Sequence, residues 1–204
     1  NNDSVLTNNF KKAGQYLVKL RVTSKYGCWH DTFQQFTIYP SPHPKFDVVN
    51  LDSCFNSNQI TFINRTVFDT TLFQWYKWYF SEGYVISRSN PSGPRKYTAP
   101  GKYTANLIYI YNNGCFDTAK AYISIYENPK TDFKLFNPAP CYGDSVRFVN
   151  LTSSSHSPLY YKWQFGDAKE SLAKNPSHLY ANKGQYSVKL VSRSPQYCSD
   201  SIIK

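Results

Sequence analysis

The sequence of 204 residues contains no methionine and no uninterrupted run of about 18 apolar residues. A membrane-spanning helix needs such a run, so we expect no membrane insertion. The first residues also lack the basic segment followed by an apolar segment that marks a secretion signal. Because methionine is absent and both ends cut into repeated patterns, we expect this sequence to be a window of a longer protein.

Motifs for catalysis and for metal chemistry are also missing. No Cys-x-x-Cys pair, Gly-rich phosphate loop or EF-hand spacing occurs, and the four histidines are scattered without a nucleophile beside them. Asp167 and Glu170 fall on one predicted turn, whereas the two carboxylates of a glycosidase face each other across a cleft. The pattern therefore predicts a protein that is not an enzyme.

Negative charge is scarce: the net charge is +10, to which residues 1–43, 44–127 and 128–204 contribute +3, +2 and +5. A basic surface attracts polyanions in general. Here the charge is spread rather than gathered in an arm or a stripe, which is typical of solvated strand faces. We therefore expect no nucleic-acid partner.

Aromatic residues are abundant, and many of them belong to a pattern that occurs three times. Each copy begins with Gly, has Tyr two residues later, continues with alternating apolar residues and leads to a Cys. The copies are 14–22, 101–109 and 184–192, which are 87 and 83 residues apart. This spacing equals one small β-sandwich.

The repeats predict three blocks in the chain. Residues 1–43 are the rear of a first block plus a Pro-rich linker, residues 44–127 form a complete second block, and residues 128–204 form a third that breaks off in its last strand. Two-residue alternation, β-branched and aromatic residues, and closely spaced turns make the chain all-β. The strand candidates of the second block are 45–50, 59–66, 74–80, 95–99, 101–111 and 118–126.

The third block carries the clearest local motif. A strand with Trp163 and Phe165 directed inward ends at a Gly166-Asp167 turn, and a second strand follows Gly184 and directs Tyr186 inward. The spacing of Gly184 and Tyr186 predicts a tyrosine corner, in which the hydroxyl caps nearby backbone. The matching residues of the second block are Trp78, Phe80, Gly101 and Tyr103.

This motif resembles the PKD (polycystic kidney disease) domain, an immunoglobulin-like sandwich with a Trp-Asp-Phe-Gly-Asp-Gly run. Gln164 and Ala168 stand where the family usually has Asp and Gly. The resemblance extends over all three blocks and implies tandem immunoglobulin-like sandwiches in a head-to-tail string.

Some PKD-like domains bind calcium through turn carboxylates. We expect no cofactor, because a hard cation needs more oxygen ligands than the candidates guarantee. Those candidates are Asp144, Asp167 and Asn175.

The five cysteines occupy two repeated positions. Cys54 and Cys141 precede the second strand of a sandwich, and Cys28, Cys115 and Cys198 follow the sixth. Cysteines in register with repeats predict disulfides and an oxidising compartment. In the implied topology these positions lie at opposite ends of one sandwich, roughly 23 Å apart for a seven-residue strand, whereas a disulfide tolerates about 7 Å between Cα atoms.

We therefore favour a bond between blocks, Cys54 to Cys198, with partners for Cys28, Cys115 and Cys141 outside the window. The alternative is pairing within blocks, Cys54 to Cys115 and Cys141 to Cys198. A bond between blocks would turn a flexible string into a stiff rod.

Two tyrosines of the second block, Tyr79 and Tyr84, are predicted to point away from the core. An exposed aromatic pair can stack on sugar rings, and burial against a neighbouring block is the other interpretation.

Repeats of this kind resemble those of very large surface proteins from gliding bacteria with type IX secretion. The resemblance implies a non-catalytic stalk of a cell-surface adhesin, secreted to the bacterial outer surface. Its partners would be neighbouring repeats, and surface polysaccharide or other envelope proteins. The alternative is a spacer or substrate-binding accessory region of a secreted polysaccharide- or protein-degrading enzyme.

Overall fold

The computed structural model describes residues 5–83, 85–91, 93–137, 140–141 and 143–204. The protein is all-β, and the described residues contain no α-helix; one 3-10 turn occurs at Phe55–Ser57. The strands are β1 (Gly14–Thr23), β2 (Trp29–Ile38), β3 (Phe46–Val49), β4 (Asp52–Cys54), β5 (Thr61–Asn64), β6 (Phe73–Phe80), β7 (Val85–Ser87), β8 (Gly101–Tyr111), β9 (Phe116–Tyr126), β10 (Phe133–Leu135), β11 (Ser145–Asn150), β12 (Tyr160–Gln164), β13 (Glu170–Ser171), β14 (Ser177–Leu179), β15 (Lys189–Arg193) and β16 (Ser199–Ile203).

The chain forms two compact units. Unit 1 comprises Asn1–Asp47, Asn64–Asn90 and Asn106–Lys120, and unit 2 comprises Val48–Ile63, Pro91–Ala105 and Ala121–Lys204. The three blocks expected from the sequence stay a prediction. The sheet orders are β1-β2, β3-β5, β4-β9-β8-β6-β7, β10-β11-β14 and β13-β12-β15-β16.

Unit 2 contains a sandwich of the three-stranded and four-stranded sheets, as expected for an immunoglobulin-like module. Alternation in β12 and β15 places Trp163 opposite Leu190 on the inner face, where both are fully buried. Phe133 and Phe148 of the other sheet lie 5.0 and 5.4 Å from the Trp163 ring. Trp163 donates its ring N–H to the Ala173 carbonyl at 2.9 Å, so its only polar atom is satisfied. Aromatic rings of this size bury much apolar area each, which suits a small core.

Unit 1 has its own buried aromatic cluster. Trp78 and Phe80 of β6 are buried, and Phe46 meets the Trp78 ring edge-on at 4.9 Å. Tyr76 and Tyr109 stack at 4.9 Å. The inward direction predicted for Trp78 and Phe80 is confirmed.

The β1–β2 hairpin of unit 1 is regular over ten residue pairs, yet most of its apolar side chains are exposed. Its outer face is held by ion pairs. Arg21 donates to both carboxylate oxygens of Asp31 at 2.7 and 2.8 Å, and this contact lowers the pKa of Asp31. The Arg21 guanidinium also lies over the Trp29 ring at 4.2 Å.

The tyrosine corner predicted from the Gly-x-Tyr spacing is present in all three repeats. The hydroxyl of Tyr186 donates to the carbonyl of Asn182, four residues earlier, at 2.8 Å. Tyr103 and Tyr16 make the same bond at the same 2.8 Å distance. The ring of each tyrosine packs over the glycine two residues before it, 3.7–4.0 Å from where a Cβ would stand.

Two strand predictions were wrong in extent. Residues 95–99 form only a single bridge, Arg95 with Ile60, because the side-chain amide of the buried Asn58 takes both backbone groups of Tyr97. The strand expected to follow Gly184 begins only at Lys189. Lys189 pairs with Gln164, where β12 ends. On the other side of β15 the pairing runs one residue further back, through two backbone hydrogen bonds between Val188 and Lys204.

Candidate functional site

The most distinctive feature of unit 2 is a disulfide between residues 144 positions apart, Cys54 and Cys198. Cys54 ends β4, which runs parallel to β9, and Cys198 lies in the turn between β15 and β16. The two Cα atoms are 5.3 Å apart, within the range that a disulfide needs. Cys198 is fully buried. The favoured pairing is confirmed, and the pairing within blocks is wrong because Cys115 and Cys141 are free.

The third free thiol is the exposed Cys28. Its expected partner lies outside the sequence, so that bond stays a prediction.

Hydrogen bonds of the segment that follows β9 lie beside the disulfide and join the same two stretches of chain. Asn128 accepts a hydrogen bond from the Asn56 amide at 3.0 Å and donates its side-chain N–H to the Ser199 carbonyl at 2.9 Å. Asn56 follows Cys54 by two residues, and Ser199 follows Cys198 by one. One side chain thus bridges the two backbones that the disulfide joins. Sequence reasoning missed this role; the one available signal was an Asn directly before a Pro, a common turn pairing.

Further hydrogen bonds fix the same segment to unit 2. Glu127 accepts from the Ser155 hydroxyl at 2.6 Å, and Asp200 accepts from the Thr131 amide at 2.9 Å. The Thr131 hydroxyl meets the buried Ser192 hydroxyl at 2.5 Å. Such a series of local contacts resists bending of the chain at residues 127–131. The disulfide prevents the chain segments around Cys54 and Cys198 from separating.

The Gly166-Asp167 turn forms a separate, polar cluster at the end of β12. Asp167 accepts a hydrogen bond from the His178 ring at 2.7 Å and from the Lys169 amide at 3.1 Å. The His178 ring stacks on Phe165 at 4.2 Å and is mostly buried. Tyr180 closes the cluster by donating to the Phe165 carbonyl at 3.0 Å. The His178 ring is therefore packed between the rings of Phe165 and Tyr180.

Two groups of this cluster titrate abnormally. Burial acts to raise the pKa of Asp167, but the hydrogen bonds from His178 and Lys169 outweigh it, so the pKa is lowered. Burial, and then the nearby Asp167 charge, raise the pKa of Tyr180 to about 12. Tyr180 therefore stays protonated and continues to donate its hydrogen bond at any ordinary pH.

Stability should accordingly depend on the charge of Asp167. Because its folded pKa lies below the unfolded value of about 3.9, its contribution is present above pH 4 and is lost as pH falls through the folded pKa. We expect Asp167→Asn to lower the free energy of unfolding by about 1–2 kcal/mol at pH 7, and by progressively less as the pH falls below about 4. Urea titrations at several pH values measure both.

The same substitution in a His178→Phe background is the control for this prediction, since Phe keeps the ring stack and removes the hydrogen bond. Asp167→Asn should then have a smaller effect at pH 7. A loss that is the same from pH 7 to pH 2 would contradict the assignment.

Ala168 occupies the position where the PKD motif has glycine. The backbone conformation at this position explains why glycine is usual there. Its φ is +64°, in the left-handed region, which costs a residue with a Cβ about 1–2 kcal/mol. Glycine removes that strain but loses more conformational freedom on folding. We expect Ala168→Gly to raise the free energy of unfolding by about 0.5–1 kcal/mol, measured by urea titration. A destabilised variant would contradict this.

The calcium candidates are engaged with other partners. Asp144 accepts from the Cys141 amide at 3.2 Å, Asp167 from His178, and Asn175 from the Asn150 amide at 2.8 Å. Within the described residues, no three His, Cys, Asp or Glu side chains are grouped so as to hold a metal ion. The expectation that the protein binds no cofactor stays a prediction.

The predicted pair of outward tyrosines is described only in part. Tyr79 lies in β6 opposite Val85 and is half-buried. Tyr84 lies outside the described residues. A sugar contact at this pair stays a prediction.

With this geometry in place, a comparison with protein families finds a match in the unit 2 sandwich. Residues 127–202 match the model of the PKD domain. The match begins at residue 127, in the hydrogen-bonded segment that follows β9, and ends in β16. It therefore contains strands of both sheets of the sandwich. It also contains the Trp163 motif, the tyrosine corner of Tyr186 and the turn at Gly166.

The PKD match supports a structural or adhesive immunoglobulin-like module. PKD domains are generally non-catalytic and usually extracellular, and an extracellular setting favours disulfides. Cys198 lies inside the matched segment and Cys54 outside it. The disulfide therefore attaches the matched segment to a residue that precedes it by more than 70 positions. No helix among the described residues is long and apolar enough to cross a bilayer.

Proposed function

We propose that this chain is a non-catalytic stalk segment of a large secreted cell-surface adhesin, of the kind associated with gliding and type IX secretion. Its immediate partners are further repeats of the same protein, and its location is the bacterial outer surface. The observation that supports this most is the Cys54–Cys198 disulfide, because it joins parts of the chain that are 144 positions apart.

The mechanical effect of this bond follows from covalent connectivity. When the two ends of the chain are pulled apart, force passes from Cys54 directly to Cys198. The residues between them then carry no covalent tension, even if their folded structure opens. A stalk built in this way does not lengthen when the residues between the two cysteines unfold.

Single-molecule stretching of the 204-residue chain, held at both ends, tests this property. The cysteines are 144 positions apart, so at about 3.3–3.6 Å per residue their reduction should release about 500 Å of extra length. The Cys54→Ala/Cys198→Ala variant should release the same length without a reductant. Cys28→Ala, which removes a free thiol, should behave as the unchanged protein.

Equal maximum extension in oxidised and reduced protein would overturn the proposal, since the bond would then carry no load. A catalytic domain encoded next to this segment would also overturn it, in favour of an accessory region of an enzyme.

A further inference from the structure

The four-stranded sheet of unit 2 has a cleft on its outer face. The cleft has a volume of about 510 Å³ and is formed by β12, β15 and the turn after β15. Tyr160 stands directly opposite Arg193 across the strand pair, and Lys162 stands opposite Val191. The cleft is thus lined with aromatic, aliphatic and cationic side chains, and lies on the side of the sheet away from the Trp163 core.

Tyr197, at the rim of this cleft, has a backbone that does not suit its side chain. Its φ is +64°, whereas the glycines at the same place in the other two repeats, Gly27 and Gly114, have φ of +84° and +83°. A tyrosine costs stability in this left-handed conformation. The residue is 72% exposed, so packing in the core does not compensate. Backbone strain that is not offset by packing of the side chain is typical of functional sites. The strain at Tyr197 therefore indicates that this residue has a binding role.

Charge is the second feature of the cleft. Its lining residues include Lys162 and Arg193 but no carboxylate. Lys162 pairs with Glu170 at 2.9 Å, but both side chains are about half exposed, so this ion pair is weak. Arg193 makes no ion pair with a carboxylate of the described residues, and its guanidinium lies 4.4 Å from the centre of the Tyr197 ring. Arg193 is therefore available for an external anion.

We propose that this cleft binds an acidic polysaccharide built from uronic acids. The apolar faces of the sugar rings would pack on Tyr160 and Tyr197, and a carboxylate would take a two-point hydrogen bond from Arg193. The volume suits a few sugar rings, whereas a stable protein partner requires about 800 Å² of surface on each side. This inference goes beyond the stalk role and does not depend on it.

Titration with a short oligomer of galacturonic acid, followed by calorimetry or by amide chemical shifts, tests the proposal. Arg193→Gln should weaken binding by about tenfold or more, as loss of a charged hydrogen bond does. Tyr197→Gly should also weaken binding while raising the thermal midpoint of unfolding, because it relieves the backbone strain. Opposite effects on binding and stability exclude misfolding as the reason for lost affinity.

Arg147→Gln is the matched control, since Arg147 is an exposed arginine in β11, over the ring of Phe136 at 5.2 Å, and outside the cleft. It removes the same charge and should change affinity by less than about twofold, the effect of a distant surface charge. An oligomer of galactose, which lacks the carboxylate, should bind much more weakly.

Three results would overturn the proposal. Equal losses from Arg147→Gln and Arg193→Gln would show attraction by net charge alone. Unchanged affinity in Tyr197→Gly would remove the sugar-stacking role. Tighter binding of a poly-glutamate peptide than of the uronic-acid oligomer would assign the cleft to an acidic protein.

Discussion

Breaking the Cys54–Cys198 bond is expected to lower the free energy of unfolding of unit 2 by about 2–5 kcal/mol. The bond closes a loop between residues 144 positions apart, and a loop of this length restricts the unfolded chain strongly, by about 5 kcal/mol in the chain-entropy treatment. Cys198 is buried, so the Cys54→Ala/Cys198→Ala variant also loses sulfur contacts in the folded state. Urea titration of oxidised protein and of this variant measures the difference.

Cys141→Ala is the control for this prediction, because Cys141 is exposed and free. It should alter stability by less than about 0.5 kcal/mol, as surface substitutions usually do. Reductant should destabilise the protein as much as the double substitution does, and should have no further effect on the variant. A reductant effect that persists in the variant would show that another disulfide had formed.

Substituting Gly166 by alanine is expected to cost about 3–4 kcal/mol, from strain plus a steric clash. Its φ is +85°, and a Cβ at this position would stand 2.8 Å from the Ser187 carbonyl oxygen and 3.2 Å from the Ser187 nitrogen. Both are backbone atoms next to the buried Val188, so they cannot move aside without disturbing the core. Thermal and urea unfolding of unit 2 measure the loss.

Gly143→Ala separates the two causes. Gly143 has a similar φ of +90°, but no atom lies within 4 Å of its Cβ position. This variant should therefore lose only the conformational term, about 1–2 kcal/mol. If Gly166→Ala and Gly143→Ala are equally destabilised, the approach of Ser187 is not what requires glycine at residue 166.

The local features that were predicted correctly depend on residues close together in the chain. The Gly-x-Tyr spacing was sufficient for the tyrosine corners because the hydroxyl reaches a carbonyl only four residues away. The inward direction of Trp163 follows from two-residue alternation, which is a property of any strand. The shorter extent of the strand after Gly184 was not predictable in the same way, because it depends on where β12 ends.

The hydrogen bonds that hold residues 127–131 to the rest of unit 2 were not predictable from the sequence. Asn128 contacts groups more than 70 positions away on both sides, at Asn56 and Ser199, and an asparagine before a proline is also typical of an ordinary turn. The cleft was missed for a related reason. Tyr160 and Arg193 become neighbours only through the pairing of β12 with β15.

The sequence by itself determined the all-β character, the inward aromatic residues and the turn after Phe165, because each is set by short-range sterics and alternation. The tertiary structure decided which cysteines bond, and it placed Arg193 over Tyr197. Both are distances across folded chain. A pattern of residues can restrict which pairings are possible, as the expected distance between turns did for Cys54 and Cys198. Only the packing of the sheets determines the distances themselves.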